Sequence, residues 1–121
     1  MDKILFKMKD EAHFTKEFGG GTTSDRVILP ESDDCRVKVT MFRPKKGFSA
    51  KDIAYACDET VYMVSGQVRI HLADGSEVDL SPGDTYLAPA GAVYDLTALA
   101  DSEVFCVFSQ AGDGPLPDGT R

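Results

Sequence analysis

The chain has 121 residues, enough for one domain of ordinary size and too few for two. With 42% hydrophobic and 27% charged residues and no Trp, the composition is that of a folded globular domain and excludes whole-chain disorder. Thirteen Lys and Arg against 20 Asp and Glu leave a formal charge of -7, which sets the summed field against nucleic acid and anionic membrane surfaces as partners.

No stretch approaches the roughly 18 apolar residues of a membrane-spanning helix, and the opening Met1–Lys9 interrupts its apolar residues with charges, unlike a signal peptide. A cytoplasmic protein is the expectation. Cys35, Cys57 and Cys106 are an odd number without a CxxC, so they predict reduced thiols, not a disulfide framework or a zinc knuckle.

Along the chain, short apolar runs alternate with Gly, Pro and Asp turns. Residues 3–9 are a candidate first strand, and 10–18 fit a helical turn ahead of Gly19-Gly20-Gly21. Over 36–42 the alternation is clean, with Val37, Val39 and Met41 on one side and Arg36, Lys38 and Thr40 on the other, as a half-buried strand requires. Runs at 53–57 and 60–64 follow, and Ser65-Gly66 turns the chain into 67–72, where Val68, Ile70 and Leu72 alternate with Gln67, Arg69 and His71. Asp74-Gly75 predicts a two-residue type I′ hairpin turn, with positive φ at both positions. Strands over 77–80, 85–88, 93–98 and 103–108 are separated by the turns Ser81-Pro82-Gly83-Asp84 and Pro89-Ala90-Gly91. Residues 112–121 hold Gly, Pro and Asp with little to bury and read as a loose tail. Met41, Phe42, Phe48, Tyr62, Met63, Tyr86, Phe105 and Phe108 are expected to pack in the core or between sheets. About nine short strands with no helical periodicity predict one all-β domain, a sandwich or small barrel, with its core between residues 36 and 109.

The turn residues between Gly47 and Ala98 resemble the two motifs of the cupin superfamily, the small jelly-roll β-barrels. The first motif there runs Gly, five residues, His-x-His, three or four residues, Glu, six residues, Gly. Here the corresponding residues are Gly47, Ile53-Ala54-Tyr55, Glu59 and Gly66. The second runs Gly, five residues, Pro-x-Gly, two residues, His, three residues, Asn, and is matched by Gly83, Pro89-Ala90-Gly91, Tyr94 and Ala98. Within the superfamily, the strings from Asp58 to Gly66 and from Ser81 to Gly91 look most like the histidine-poor cupin domain of the ethanolamine-utilisation Q proteins. That bacterial family is associated with ethanolamine breakdown, and some members with acetate kinase activity. Cupins similar to ureidoglycine aminohydrolase share the Glu-x-x-Tyr-x-x-x-Gly string and are a second relative. The resemblance covers residues 47–109 and implies an RmlC-like jelly roll and a homodimer through edge-strand exchange or sheet packing.

The resemblance also implies where a metal would sit. Metal-binding members use the two histidines and the glutamate of the first motif and the histidine of the second; the matching positions are Ile53, Tyr55, Glu59 and Tyr94. Isoleucine offers no donor, and a phenol with a pKa near 10 is a reluctant ligand. No metal cofactor is therefore predicted, and neither His13 nor His71 replaces the missing imidazoles.

If strand parity holds through the motif, Ile53, Tyr55, Cys57 and Glu59 share the face that looks into the barrel in cupins. Burial there should raise the pKa of Glu59 toward neutrality, fitting it to take and return a proton, while Tyr55 or Tyr94 donates to a developing oxyanion. Ile53, Cys57 and Met63 are candidates to line the pocket. Lys51, beside Lys45 and Lys46, is the candidate to meet an anionic group at its mouth, against the plainer alternative of a solvated basic loop. No GxGxxG or P-loop string occurs, so the glycines read as turn devices.

Three functions stay open. One is a metal-independent lyase or isomerase acting on a small molecule, with Glu59, Tyr55 and Tyr94 as its catalytic group. Another is a ligand-binding or regulatory cupin in which the same residues hold a small polar metabolite. The third is an atypical metalloprotein using Glu59 with Cys57 and a tyrosine.

Overall fold

A computed structural model describes residues 4, 6, 8–10, 15–28 and 37–109. Its strands are β1 (Thr15–Gly19), β2 (Thr22–Ile28), β3 (Val37–Arg43), β4 (Ser49–Ile53), β5 (Asp58–Ser65), β6 (Val68–Leu72), β7 (Glu77–Leu80), β8 (Thr85–Ala88), β9 (Tyr94–Ala98) and β10 (Glu103–Ser109). They form two antiparallel sheets, one in the order β1-β2-β3-β10-β5-β8 and one in the order β4-β9-β6-β7. No helix occurs among the described residues. The all-β architecture that the turn spacing implies is the one observed.

The period-two pattern explains which faces meet. In β5, Glu59, Val61 and Met63 are buried while Thr60, Tyr62 and Val64 are exposed. In β10, Val104, Cys106 and Phe108 are buried in the same alternation. Against them the smaller sheet sets Val68, Ile70, Leu80, Leu96 and Ala98, and together these residues form the core. Each fully buried Val, Met or Phe side chain contributes on the order of 1.5–3 kcal/mol over its exposed state.

Glycine turns tie the strands to one another. Gly47, at φ 90°, donates its N–H to the Ala98 carbonyl, and the Ala98 N–H returns to Phe48. The Gly83 N–H donates to the Met63 carbonyl. Gly91, at φ 84°, donates to the Tyr55 carbonyl, and the adjacent Ala90 N–H donates to Asp58 Oδ1 at 2.9 Å. The Pro89-Ala90-Gly91 turn is therefore pinned to the segment between β4 and β5.

Several local expectations are corrected. Residues 15–18, expected in a helical turn, belong to β1, which pairs with β2 across Gly19–Gly21; the positive φ of all three glycines lets the chain reverse there. Ile4, Phe6 and Met8, placed in a first strand, are exposed and outside any strand; the other residues of 1–7 and residues 11–14, His13 among them, lie outside the described residues, as do Cys35 and the tail 112–121. The expected strand 53–57 lies instead at Ser49–Ile53, and residues 54–57 form a loop. At Asp74-Gly75 only Gly75 has positive φ. Its N–H donates to Leu72, and the Leu72 N–H donates to Ser76, which makes a three-residue loop closed by a left-handed glycine in place of the type I′ turn. Asp74 Oδ1 accepts from the Ser76 N–H at 2.9 Å, a bond that favours this loop. Tyr62 is exposed on the outer face of its sheet, not packed in the core.

In β3, Thr40 and Phe42 border the interior cavity, while of the set expected inward Val39 is buried and Val37 is exposed.

Gly66 is the turn with least tolerance. At φ 82°, a Cβ there would sit 2.6 Å from Ser102 Cα and still closer to Ser102 Oγ and the Asp101 carbonyl. Gly75 has a similar φ of 89°, but a Cβ there would meet nothing within 4 Å. Gly66→Ala is therefore expected to cost roughly 2–5 kcal/mol in denaturant unfolding, and Gly75→Ala only about 1–2 kcal/mol.

Candidate active site

A cavity of about 370 Å³ opens between the sheets beyond the packed core. β5 supplies Glu59, which lies between Phe108 of β10 and Ala88 of β8 in the register of the larger sheet. β9, in the other sheet, supplies Tyr94, and the Tyr94 hydroxyl crosses the interior to donate a hydrogen bond to Glu59 Oε1. Tyr86 of β8 donates its hydroxyl to the Tyr94 hydroxyl at 3.1 Å, the two rings meeting edge to face at 5.7 Å. The result is a directed chain from Tyr86 to Tyr94 to the Glu59 carboxylate, with Glu59 only 4% exposed.

Both phenols resist ionisation. Burial pushes the Tyr94 pKa well above the usual tyrosine value, helped by the neighbouring Tyr86 and by the Glu59 charge. Burial does the same to Tyr86, with the Glu59 charge next in importance. Each phenol is held as a neutral donor, the state that can stabilise negative charge on a neighbour.

Around this chain the walls are aromatic and aliphatic. Tyr55 packs edge-on against Phe108 at 4.9 Å, and Ile53 and Leu96 border the same space. At the other side Phe18, Phe42 and Phe48 form a triangle of edge-to-face contacts at 5.7–5.8 Å. Ser24, Thr40, Lys16 and Asp52 add polar groups. Asp52 has a φ of 54°, a left-handed conformation uncommon outside glycine, and its N–H donates to Asp95 Oδ1 at 2.8 Å. A bulge between Ala50 and Ile53 accompanies it. That extra residue brings both Ala50 and Ile53 to the cavity although they are three apart, which simple alternation forbids.

The residues singled out from sequence fall into three groups. Glu59, Tyr94, Tyr55 and Ile53 all line the cavity. Cys57 and Met63 are buried in the apolar core and are not among the residues bordering the cavity. Cys57, in the loop after β4, packs into the apolar core cluster with Val61 and Phe108. Lys51 is exposed and also lies outside the lining, while Lys16 of β1 stands there. Lys45 instead pairs with Asp101 at 3.7 Å. Tyr86, Phe18 and Cys106 are lining residues that sequence reasoning did not select. For Tyr86 there was a signal: it and Tyr94 stand four residues to either side of Ala90, the centre of the Pro-x-Gly turn.

An all-β pair of sheets with glycine turns at these spacings, and a carboxylate from the first motif facing the interior, defines a cupin. A family model for the EutQ-like cupin domain matches residues 32–107, and the chain belongs to that family. Among solved structures it is similar to KdgF from Halomonas sp., with 25% identity over 90% of this chain and 97% of that one at a TM-score of 0.72. An RmlC-like cupin from Shewanella frigidimarina has 18% identity over 93% of this chain and 97% of that one, also at a TM-score of 0.72. The EutQ protein of Clostridium difficile has 19% identity over 82% of this chain and 78% of that one, at 0.64. These last two likenesses are of fold. No curated protein matches the chain in sequence.

The donor chemistry at the family's metal positions can be judged directly. Ile53, Tyr55, Glu59 and Tyr94 converge on the cavity, but they offer a hydrocarbon, two phenols and one carboxylate. Tyr94 already commits its proton to Glu59. No group of three or more His, Cys, Asp or Glu able to hold a metal occurs among the described residues. This set does not fit the usual cupin metal.

The tyrosine environment predicts an alkaline limit to stability. Both folded pKa values lie above the unfolded value of 10.0, so the unfolded chain loses protons first and stability falls as pH rises past about 10. Chemical unfolding between pH 9 and 11.5 should show a slope approaching about 1.4 kcal/mol per pH unit for each such phenol. The slope should shrink in Tyr86→Phe.

Proposed function

We propose that this cupin binds a small polar metabolite in the barrel and acts on it by proton transfer at Glu59, as a lyase or isomerase of a small carbonyl compound. The observation that carries this reading is the directed hydrogen-bond chain from Tyr86 through Tyr94 to Glu59 inside a cavity large enough for a ligand. A carboxylate in so apolar a place is costly unless compensated, and here the compensation is itself a movable proton donor.

The chemistry follows from that coupling. When Glu59 takes a proton from the carbon beside a carbonyl, the electron pair moves onto the carbonyl oxygen. The carboxylate that held Tyr94 is neutralised in the same event, and the Tyr94 hydroxyl becomes available to the new oxyanion, with Tyr55 at the cavity wall as a second donor. Return of the proton from Glu59 to a different carbon gives isomerisation; departure of a group from the neighbouring carbon gives elimination. No step requires a metal.

A second function is supported by the same bonds. Glu59, Tyr94 and Tyr86 satisfy one another, as buried polar groups normally do, and a cavity so arranged can hold a metabolite without changing it.

Two measurements separate these. A panel of small hydroxy and keto compounds that raises the melting temperature identifies binders. Solvent deuterium uptake beside the carbonyl of a binder then reports proton transfer, and Glu59→Gln is expected to lower it by about 100-fold or more while the protein stays folded. Binding that survives Glu59→Gln, with no exchange in the wild type, favours the ligand-binding function. Elemental analysis of protein purified without chelator or a histidine tag is expected to find no stoichiometric transition metal; one metal per chain would assign Glu59 to coordination instead.

A further inference from the structure

The part of the cavity wall built by β1, β2 and β3 carries polar groups that the proton-transfer chemistry does not use. Ser24 of β2 and Thr40 of β3 line it and are only 4% and 2% exposed. Neither hydroxyl has a hydrogen-bond partner among the described residues. Buried hydroxyls are normally paired, and leaving one unpaired opposes folding. Two of them side by side on a cavity wall mark a place for a polar ligand.

A positive charge stands beside them. Lys16 of β1 is directly opposite Ser24 in the β1–β2 register, and Ser24 is paired in turn with Phe42, two residues beyond Thr40 on β3. Lys16, Ser24 and Thr40 are thus neighbours on one face of the sheet. Lys16 Nζ lies 5.2 Å from the centre of the Phe18 ring, an attraction that keeps the charge at the cavity wall. Lys16 is the one cationic residue among the described lining, and it has no ion pair among the described residues. Nearby cations are committed elsewhere, Arg43 to Asp25 and Lys45 to Asp101. Of the two acids on the lining, Glu59 is four strands away in the same sheet and Asp52 belongs to the other sheet.

We propose that Lys16, Ser24 and Thr40 form a carboxylate subsite, so that the ligand of the Glu59 cavity is a small keto or hydroxy acid anchored by its carboxylate. Two hydroxyl donors and an ammonium give a carboxylate three charge-assisted bonds, whereas an amide or an alcohol leaves the ammonium unanswered. Thr40 and Ser24 stand two and three strands from β5, about 10 and 14 Å between backbones at a spacing of about 4.8 Å per strand. Side chains reach inward from both ends, which leaves a span suited to a chain of about four to six carbons. The subsite rests on the proposed reaction for its substrate class, but the preference for a carboxylate is a property of binding and does not depend on proton transfer at Glu59.

Calorimetric titration at fixed ionic strength tests this, with straight-chain keto acids of about four to six carbons each compared with its neutral primary amide. At least one acid is expected to bind about 10-fold or more tightly than its amide. Lys16→Gln is expected to abolish that preference while the affinity for the amide stays unchanged. Ser24→Ala and Thr40→Val are each expected to weaken the acid about 10-fold, and to leave the free protein at least as stable because neither removes a hydrogen bond within the protein. Lys16 is exposed on β1, so its variant keeps the test valid where a cavity substitution fails to fold. Amides that bind as tightly as acids overturn the proposal, as does the absence of binding by every acid, or a preference for acids that survives in folded Lys16→Gln. A preference retained in Glu59→Gln, with no deuterium exchange in the wild type, upholds the subsite and removes the catalytic reading. Exchange on neutral compounds with no preference for acids does the opposite.

Discussion

The hydrogen bond from Tyr94 to Glu59 is the constraint on which the site depends. It joins the two sheets through their interior, from β9 to β5, at a place where an apolar core would otherwise close. A buried carboxylate without a donor would destabilise the fold, and a buried phenol without an acceptor would waste its hydroxyl. Each meets the need of the other, and Tyr86 fixes the direction of the bond by donating in turn to Tyr94.

Placing that bond is the task of the turns. Gly91 and Ala90 tie the turn before β9 to Tyr55 and Asp58, and Asp58 is the residue next to Glu59. The two motifs are thus anchored to each other by one backbone hydrogen bond and one to the Asp58 side chain, within a few residues of the two side chains that must meet. The rest of the sandwich, around Met63, Val68 and Val104, is ordinary apolar packing that holds the sheets at a fixed separation. The cavity exists because this packing stops short of the end where the Phe18, Phe42 and Phe48 triangle stands.

The interior is therefore divided between two kinds of wall, packed core and cavity, and β3 borders the cavity with Thr40 and Phe42. A strand facing a packed core buries its apolar register. One that faces a cavity can turn Thr40 inward, while Val37 stands on the outer side, exposed. The same outward surplus of apolar side chains appears at Leu87, Val93 and Ile4.

Much was determined by the sequence alone. The glycines and prolines between Gly47 and Gly91 mark turns whose φ requirements few other residues meet, so their spacing reports the order and length of the strands, and through them the family. Glu59 and Tyr94 were legible because they occupy fixed places in that spacing. Other features were decided only by tertiary structure. The bulge at Asp52 brings Ala50 and Ile53 to one cavity against strand parity, because an inserted residue resets the alternation and leaves no mark in the sequence pattern. Cys57 and Met63 went to the core, and Lys16, Phe18 and Tyr86 came to the cavity, because which inward side chain borders empty space depends on where the opposite sheet stops packing. That distance is set by both sheets together, and no single strand records it.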